Sequence, residues 1–484
     1  MCNYVKLILS ARLMLAAMIV ATALTTSSCK DSDDDYTIQF STPALYFQTL
    51  GSTQSAGVYC NRDYSRLEVT SVPDGWKAEL SADHKRLTVT APKTLDAYTD
   101  GGKTVTPAAN GSVIVHGTGV GESYSATLHV TISAVVDLSA SQANSYVITQ
   151  ASAGYEISAV PPGQYSAATG AESVETVWST TVNLIKYLAL DESGKRISFM
   201  TNSNKDGSLM EGNALIALCD KNGNRLWCWH LWVTANDPAQ NTAQLNGHTF
   251  MSSNLGAFGN STGDDDAILA SYGLYYQWGR PTPFPRPRYY NCADAANQLM
   301  YNNAGKNITM KVDKADDYNT TMTAALDEPL TFVTGLTKPW YTGESTAPWT
   351  DSKKSIYDPC PAGWRVPPAS AFAGLSIVAG ELGDELSTLR RNYGWTLTDG
   401  TQSAFFFAGG RRSYVDGAVI NMNSDDVRPE PWTGFYWTST ASSAQTTAQC
   451  MYFNLDTSNA SRSTLQTARQ LQLSNGLQVR CVRE

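Results

Sequence analysis

The sequence predicts a mainly β chain, with an N-terminal β-sandwich, a second β-rich segment and a larger C-terminal α+β region. Three observations carry this reading. Short runs alternate apolar and polar residues with a period of two, and Gly, Pro, Asn and Asp separate them. Charged residues make up only 16% while Thr, Ser, Tyr and Trp are plentiful, which suits pleated, half-buried surfaces better than solvated helices. An Asn-Gly pair also sits between two apolar runs, a strong short-range hairpin signal. At 484 residues the chain has material for about three domains.

Taken in order, the chain opens with Lys6 and Arg12, then the apolar stretch Leu13 to Leu24, then small polar residues before Cys29. An apolar segment this short reads as a signal peptide, because a bilayer core of ~30 Å needs a longer helix. Leu24-Thr25-Thr26-Ser27-Ser28-Cys29 resembles the lipobox of bacterial lipoproteins, with its leucine further from the cysteine than the pattern has it. The resemblance implies removal of residues 1–28 and a lipid on Cys29. Residues 29–35, with Lys30-Asp31-Ser32-Asp33-Asp34-Asp35, read as a solvated acidic tether. They also resemble the surface-export signal of Bacteroidetes lipoproteins, which implies an outer-membrane protein displayed on the cell surface. Later residues offer no apolar run of ~18, so the lipid is the expected membrane attachment.

Residues 36–135 form the first predicted domain. Arg66 to Thr70, Arg86 to Thr90, Ser112 to Val115 and Ala126 to Ile132 alternate as strands of a sandwich do. Val72-Pro73-Asp74-Gly75-Trp76, leading to Leu87-Thr88-Val89-Thr90, resembles small immunoglobulin-like modules of Bacteroidetes surface proteins, the BACON domain being the nearest named one. Trp76 is expected in the core or at its rim.

Ala134 to Ser139 reads as a junction, and residues 140–240 as a second β-rich domain. Its clearest element runs Asn213 to Asp220, turns at Asn222-Gly223, and returns along Arg225 to Val233. A type I′ turn, with positive φ at both central residues, would set Cys219 against Leu226 and Ala217 against Cys228. Offset in this way, the two cysteines are not expected to bridge. Trp227 and Trp229 share a face, either as a sandwich core, an interdomain seam or a glycan platform.

Residues 244–484 carry an ordered set of motifs: Tyr272 to Pro281, Tyr357-Asp358-Pro359-Cys360-Pro361-Ala362-Gly363-Trp364-Arg365-Val366-Pro367, Gly434 to Ser439, and Gly476 to Val482. The set resembles the Fibrobacter succinogenes major paralogous domain, a family of exported bacterial domains, and Gly212-Asn213-Ala214 and Trp229 to Thr234 resemble the segment that often precedes it. This likeness implies a C-type-lectin-like fold, a role in surface or fimbria-like tip proteins, and a disulfide between Cys360 and Cys481. Such a bridge would contribute on the order of 4 kcal/mol. Cys292 and Cys450 offer a second pairing. A helix is predicted over residues 370–378, after the Pro367-Pro368 start signal.

Chemistry is sparse. The formal charge of −9 becomes −11 once Lys6 and Arg12 are removed, which argues against nucleic acid as a partner. The five histidines lack metal-ligand spacing. Asp264-Asp265-Asp266 and Asp425-Asp426 sit in loop-like sequence and read first as solvated turns. Asn421, Asn423, Asp425, Asp426 and Glu430 are the calcium candidates, since hard cations want several loop oxygens. A glycosidase carboxylate pair is the third reading of those clusters. No GxSxG is present, and Gly409-Gly410-Arg411-Arg412 lacks the lysine of a P-loop. Among many aromatics, Trp340, Trp349, Trp432 and Tyr414 lie in Pro- and Gly-rich contexts and are the candidate ligand-binding residues. The expected function is a non-enzymatic surface adhesin or recognition lipoprotein for glycan or protein ligands. A structural fimbrial subunit is the alternative, and a glycan-acting enzyme comes third.

Overall fold

The structure, a computed structural model, describes residues 37–119, 123–164, 168, 170–261, 264–286, 299–342, 347–378, 394–420, 432–455 and 463–484. Cys29 and its tether, Cys292, the calcium candidates Asn421, Asn423, Asp425, Asp426 and Glu430, and the side chain of Trp432 lie outside the described residues. Tyr36 to Glu484 forms one compact unit.

The first sandwich is built from β1 (Ile38–Phe40), β2 (Ala44–Phe47), β3 (Thr53–Cys60), β4 (Arg66–Ser71), β5 (Lys77–Leu80), β6 (Arg86–Thr90), β7 (Tyr98–Asp100), β8 (Lys103–Val105), β9 (Asn110–Thr118) and β10 (Ser123–Ile132). One sheet runs β1-β3-β6-β5 and the other β2-β10-β9-β4, with β7 and β8 as a separate hairpin. Leu87, Val89, Val113, Val115, Leu128 and Val130 fill the space between, because period-two alternation leaves each sheet one dry face. Trp76 belongs to this core. Its ring meets Phe47 edge-on at 5.0 Å and its Nε1 donates to the Ala108 carbonyl at 2.7 Å.

The second segment holds β11 (Val135–Asp137), β12 (Ser145–Ile148), β13 (Gly154–Ser158), β14 (Ala171–Ser179), β15 (Ile185–Leu190), β16 (Arg196–Thr201), β17 (Gly212–Asp220) and β18 (Arg225–Val233). Its sheets run β11-β13-β16-β15 and β12-β18-β17-β14. Leaving out the β7–β8 hairpin, this is the order of the first sandwich strand for strand. In both, the opening strand is divided between the sheets and its second part pairs parallel with the last strand, β2 with β10 and β12 with β18. That order is immunoglobulin-like. The chain therefore carries two such sandwiches in tandem, where the sequence pointed to one and to a β-rich domain over residues 140–240 with no topology assigned. The stretch read as a junction contains β11, so the second sandwich starts directly after the first.

The hairpin between β17 and β18 forms, with a different turn. Only Gly223 has positive φ, at 82°, so the mirror-image turn that needs it at both central residues is replaced by one with a left-handed glycine and a bulge. The Asp220 carboxylate holds the turn, accepting from the Asn222 and Asn224 amides at 2.8 and 2.9 Å. Ala217 faces Cys228 as expected, but the ladder slips after Leu218 and Cys219 faces Arg225, not Leu226. Both thiols are free.

In the C-terminal region, Ala243–Leu245, His248–Phe250, Val482–Arg483 and Trp364–Arg365 make a sheet that joins its two ends. Its longest strands, Trp432–Ala441, Thr447–Leu455 and Thr464–Gln472, form an antiparallel sheet. Helices are minor among the described residues: α1 (Asp265–Ser271) and α2 (Met322–Asp327). Asp264 opens α1 as its N-cap, accepting from the Ala267 amide at 2.9 Å, so the acidic triplet starts a helix and is not a free turn. The helix predicted over 370–378 is absent. A 3-10 turn, Ala369–Ala371, and a short strand, Ser376–Ile377, take its place, with Gly374 at a φ of 71° between them.

The first sandwich keeps its own core, whereas the second shares one continuous core with the C-terminal region, from Ile148 and Ile197 through Trp229 to Trp437 and Leu477. β17 and β18 are consequently buried on both faces, and the tryptophans of β18 are core and seam, leaving no face for a glycan. Trp227 stacks on Tyr357 at 5.9 Å and Trp232 Nε1 donates to the Ala257 carbonyl at 2.7 Å.

Candidate functional site

The family-like motifs turn out to be scaffolding. In the Tyr357 to Pro367 loop, Asp358 is buried and works as a hub. Its Oδ1 accepts from the Cys360 amide at 2.9 Å and from Lys354 Nζ at 3.0 Å, and its Oδ2 accepts from the Val366 amide at 2.9 Å. Lys354 Nζ also donates to the carbonyls of Cys360 and Trp364 at 2.7 and 2.6 Å. This holds Cys360 for the bridge to Cys481, which is present with its Cα atoms 6.0 Å apart. Cys450 is a free, buried thiol, so the pairing of Cys292 with Cys450 is not made. Asp358→Asn leaves the lysine without a counter-charge and is expected to cost about 3 kcal/mol in urea unfolding. An unchanged midpoint would show that the hub carries no weight.

Arg280 and Arg480, each inside a motif, are buried without an ion pair among the described residues. Arg280 donates to the Ala325, Glu328 and Thr331 carbonyls at 3.0, 3.2 and 2.9 Å, which places a cation on the C-terminal end of α2. Arg480 reaches the Met251 and Ser252 carbonyls at 2.8 and 3.0 Å and also the Phe405 carbonyl. Burial lowers both guanidinium pKa values to about 10, still high enough to keep them charged at neutral pH.

Two of the aromatic ligand candidates are corrected. Trp340 and Trp349 are 0% and 1% exposed. Trp340 Nε1 donates to the Trp278 carbonyl at 3.0 Å, Trp349 Nε1 to the Tyr357 carbonyl at 2.9 Å, and Trp349 meets Trp278 edge-on at 5.7 Å. Their loops fold back over the core, so neither ring offers a face to a ligand. Their sequence neighbours Tyr341 and Pro348 are buried too, but they border an opening. Tyr341 and Pro348, with the edge of Trp278, form one wall of a cleft of about 400 Å³. The opposite wall carries Ser442, Gln445, Thr446 and Thr447 from the turn after Trp432–Ala441. Tyr414, the third candidate, lies half-buried elsewhere, beside Arg411.

The cleft combines aromatic surface with hydroxyl and amide groups, the mixture that orients a small polar ligand. Its described lining holds no carboxylate, histidine or cysteine. A second arrangement has the outline of catalytic machinery: Ser145 Oγ lies 3.0 Å from His230 Nδ1, and His230 Nε2 lies 2.7 Å from Asn213 Oδ1. All three are buried, however, and the hydroxyl also donates to the Pro359 carbonyl at 2.6 Å. Asn213 Nδ2 donates to the Gly256 carbonyl at 2.9 Å. The trio thus pins the second sandwich to the C-terminal region, and no substrate can reach its serine. Sequence reasoning did not single out Ser145 or Asn213. A polar residue interrupting an otherwise apolar strand was the available signal.

No protein-family model matches the chain, and no curated protein does. Solved structures give low-scoring likenesses. An endo-fucoidan hydrolase of glycoside hydrolase family 107 is 13% identical, over 42% of this chain and 29% of its own, with a TM-score of 0.16. A chimeric titin Z1Z2 is 13% identical over 40% and 96%, with a TM-score of 0.14. The D00–D0 domain of intimin is 12% identical over 40% and 96%, with a TM-score of 0.15. This chain spans only 29% of the hydrolase's length. No activity or ligand passes from these proteins to this one, and the immunoglobulin-like reading rests on strand order alone.

Proposed function

We propose that this protein is a non-enzymatic surface recognition lipoprotein, anchored through Cys29 to the outer membrane. In this reading two immunoglobulin-like sandwiches carry a C-terminal region that binds a glycan in the Tyr341–Gln445 cleft. The carrying observation is the cleft's described lining: aromatic edges lie beside hydroxyls and an amide, with no carboxylate, histidine or cysteine among those residues. The signal-like N-terminus and acidic tether support display on the cell surface, and the ordered C-terminal motifs support kinship with the Fibrobacter succinogenes major paralogous domain.

A glycan array probed with the purified protein tests this. Saturable binding is expected, with no change in the glycans on prolonged incubation. Gln445→Ala, on the exposed rim, is expected to weaken binding five- to tenfold with unchanged melting, since it removes about one ligand hydrogen bond. Cleavage of any glycan would overturn the non-enzymatic reading. Capture of pilus-type proteins without sugar binding would favour a structural subunit instead.

A further inference from the structure

The two sandwiches meet at a joint whose rings belong to neither core. No sheet runs from one sandwich into the other, and only Ser133 and Ala134 separate β10 from β11. Tyr46 of β2 lies on Gly154 of β13, so close that a Cβ there would sit 3.4 Å from its ring. His129 of β10 meets Tyr187 of β15, with ring centroids 4.6 Å apart. Tyr187 owes its place to an irregularity in β15 between Lys186 and Ala189, where it takes a φ of 57°. A bulge of this kind re-aims a side chain, and a left-handed tyrosine persists only where its surroundings hold it.

The His129–Tyr187 contact borders a notch of about 300 Å³ between the sandwiches. Each element packed against His129 is accounted for. β9 brings Ser112, whose hydroxyl lies 3.1 Å from His129 Nδ1. β2 brings Ala44 alongside, and β16 brings Met200. β15 brings Tyr187 and Lys186, whose Nζ lies 5.6 Å from the centre of the Tyr187 ring. The titratable groups facing His129 are therefore one tyrosine and one lysine, and the described lining of the notch holds no carboxylate. Glu156, Asp191 and Glu192 line a separate cleft of the joint, with Tyr46 and Arg86. His129 and Lys186 are both half-buried. A proton on His129 would thus put a second cation into the notch beside Lys186.

We propose that this joint is released by mild acid, with His129 as the sensor and Lys186 as the charge that repels a protonated ring. While the joint is closed, burial and then Lys186 hold the His129 imidazole below its ordinary value of 6.5. Opening returns the ring to water, where it protonates at that ordinary value. Below pH 6.5 the closed form therefore binds fewer protons than the open one. It is favoured above that pH and loses ground as pH falls, by at most about tenfold in the closed-to-open ratio per pH unit. Both sandwiches stay folded through the opening, because the cores behind them lie outside the contact. The joint is separate from the Tyr341–Gln445 cleft and works whatever that cleft binds.

Small-angle scattering of the full chain at pH 7 and pH 5 tests the proposal, with hydrogen exchange at Val115 and Ile197 reporting whether each sandwich is still folded. The distribution of interatomic distances is expected to broaden at pH 5 and to recover at pH 7, with protection kept at both residues. His129→Phe keeps a ring on Tyr187 and cannot take a proton, so its distribution should stay narrow at both pH values. Lys186→Glu gives a protonated His129 a counter-charge and should stay narrow at pH 5 as well. An unchanged wild-type distribution would overturn the proposal, as would wild-type broadening in either variant. Broadening with loss of protection in one sandwich would also overturn it, since that is unfolding of a sandwich and not release of a joint. Should His129→Phe fail to fold, Lys186→Glu carries the same decision.

Discussion

Replacing both Cys360 and Cys481 by alanine is expected to lower the unfolding free energy of the C-terminal region by about 5 kcal/mol. The bridge closes a loop with a sequence separation of 121, and the chain-entropy model gives that figure for so long a loop. It ties together segments that already pair, since Trp364–Arg365 lies against Val482–Arg483 in one sheet. The main consequence is therefore a freer unfolded chain, with little change in native contacts. The effect should also be regional. The first sandwich has a core of its own, so it should unfold in a separate transition that reduction leaves in place. The second sandwich shares its core with the C-terminal region and should shift with it. Denaturant unfolding with and without reductant, read alongside hydrogen exchange at Val113 and Val115, checks both parts. A uniform shift of every probe would refute the division, and no shift would refute the bridge.

What the sequence revealed, and what it hid, follows from how local each signal is. Period-two alternation marked the strands of the first sandwich, because burial of one face writes itself into neighbouring residues. The tandem repeat was not legible, since strand order is a long-range property and the two sandwiches share no obvious residue pattern. The turn at Asn222-Gly223 was placed correctly but typed wrongly: Asp220 and its amide hydrogen bonds decide the geometry, and the dipeptide does not. Trp340 and Trp349 do sit in irregular segments, yet those segments lie over the core and bury both rings. Local composition identifies a loop without saying whether that loop packs down on a core. Arg280 and Arg480 were hidden for the opposite reason. Arginine reads as surface, and only the tertiary structure shows backbone carbonyls gathered around a buried guanidinium.

Acidification offers the sharpest test of the seam between the second sandwich and the C-terminal region. Burial pushes the His230 imidazole down to about 3, from an ordinary value of 6.5. Asn213 Nδ2 is committed to the Gly256 carbonyl, so Asn213 Oδ1 faces His230 Nε2 and accepts from it. The unfolded chain takes up a proton below pH 6.5 while the folded chain does not, so stability falls as pH drops through 6.5 and goes on falling towards 3. At about 1.4 kcal/mol per pH unit, this one group removes about 3 kcal/mol between pH 7 and pH 4. His129 and His248 are also shifted downward by burial and add in the same direction. His230→Gln keeps a neutral hydrogen-bonding side chain that cannot titrate in this range. Comparing urea midpoints of wild type and variant at pH 7 and pH 4 isolates the contribution. The variant, whatever its stability at pH 7, should lose about 3 kcal/mol less on acidification. If both proteins lose the same amount, His230 is not held neutral by the seam, and the rigid attachment of the C-terminal region to the second sandwich would have to rest on the tryptophan contacts alone.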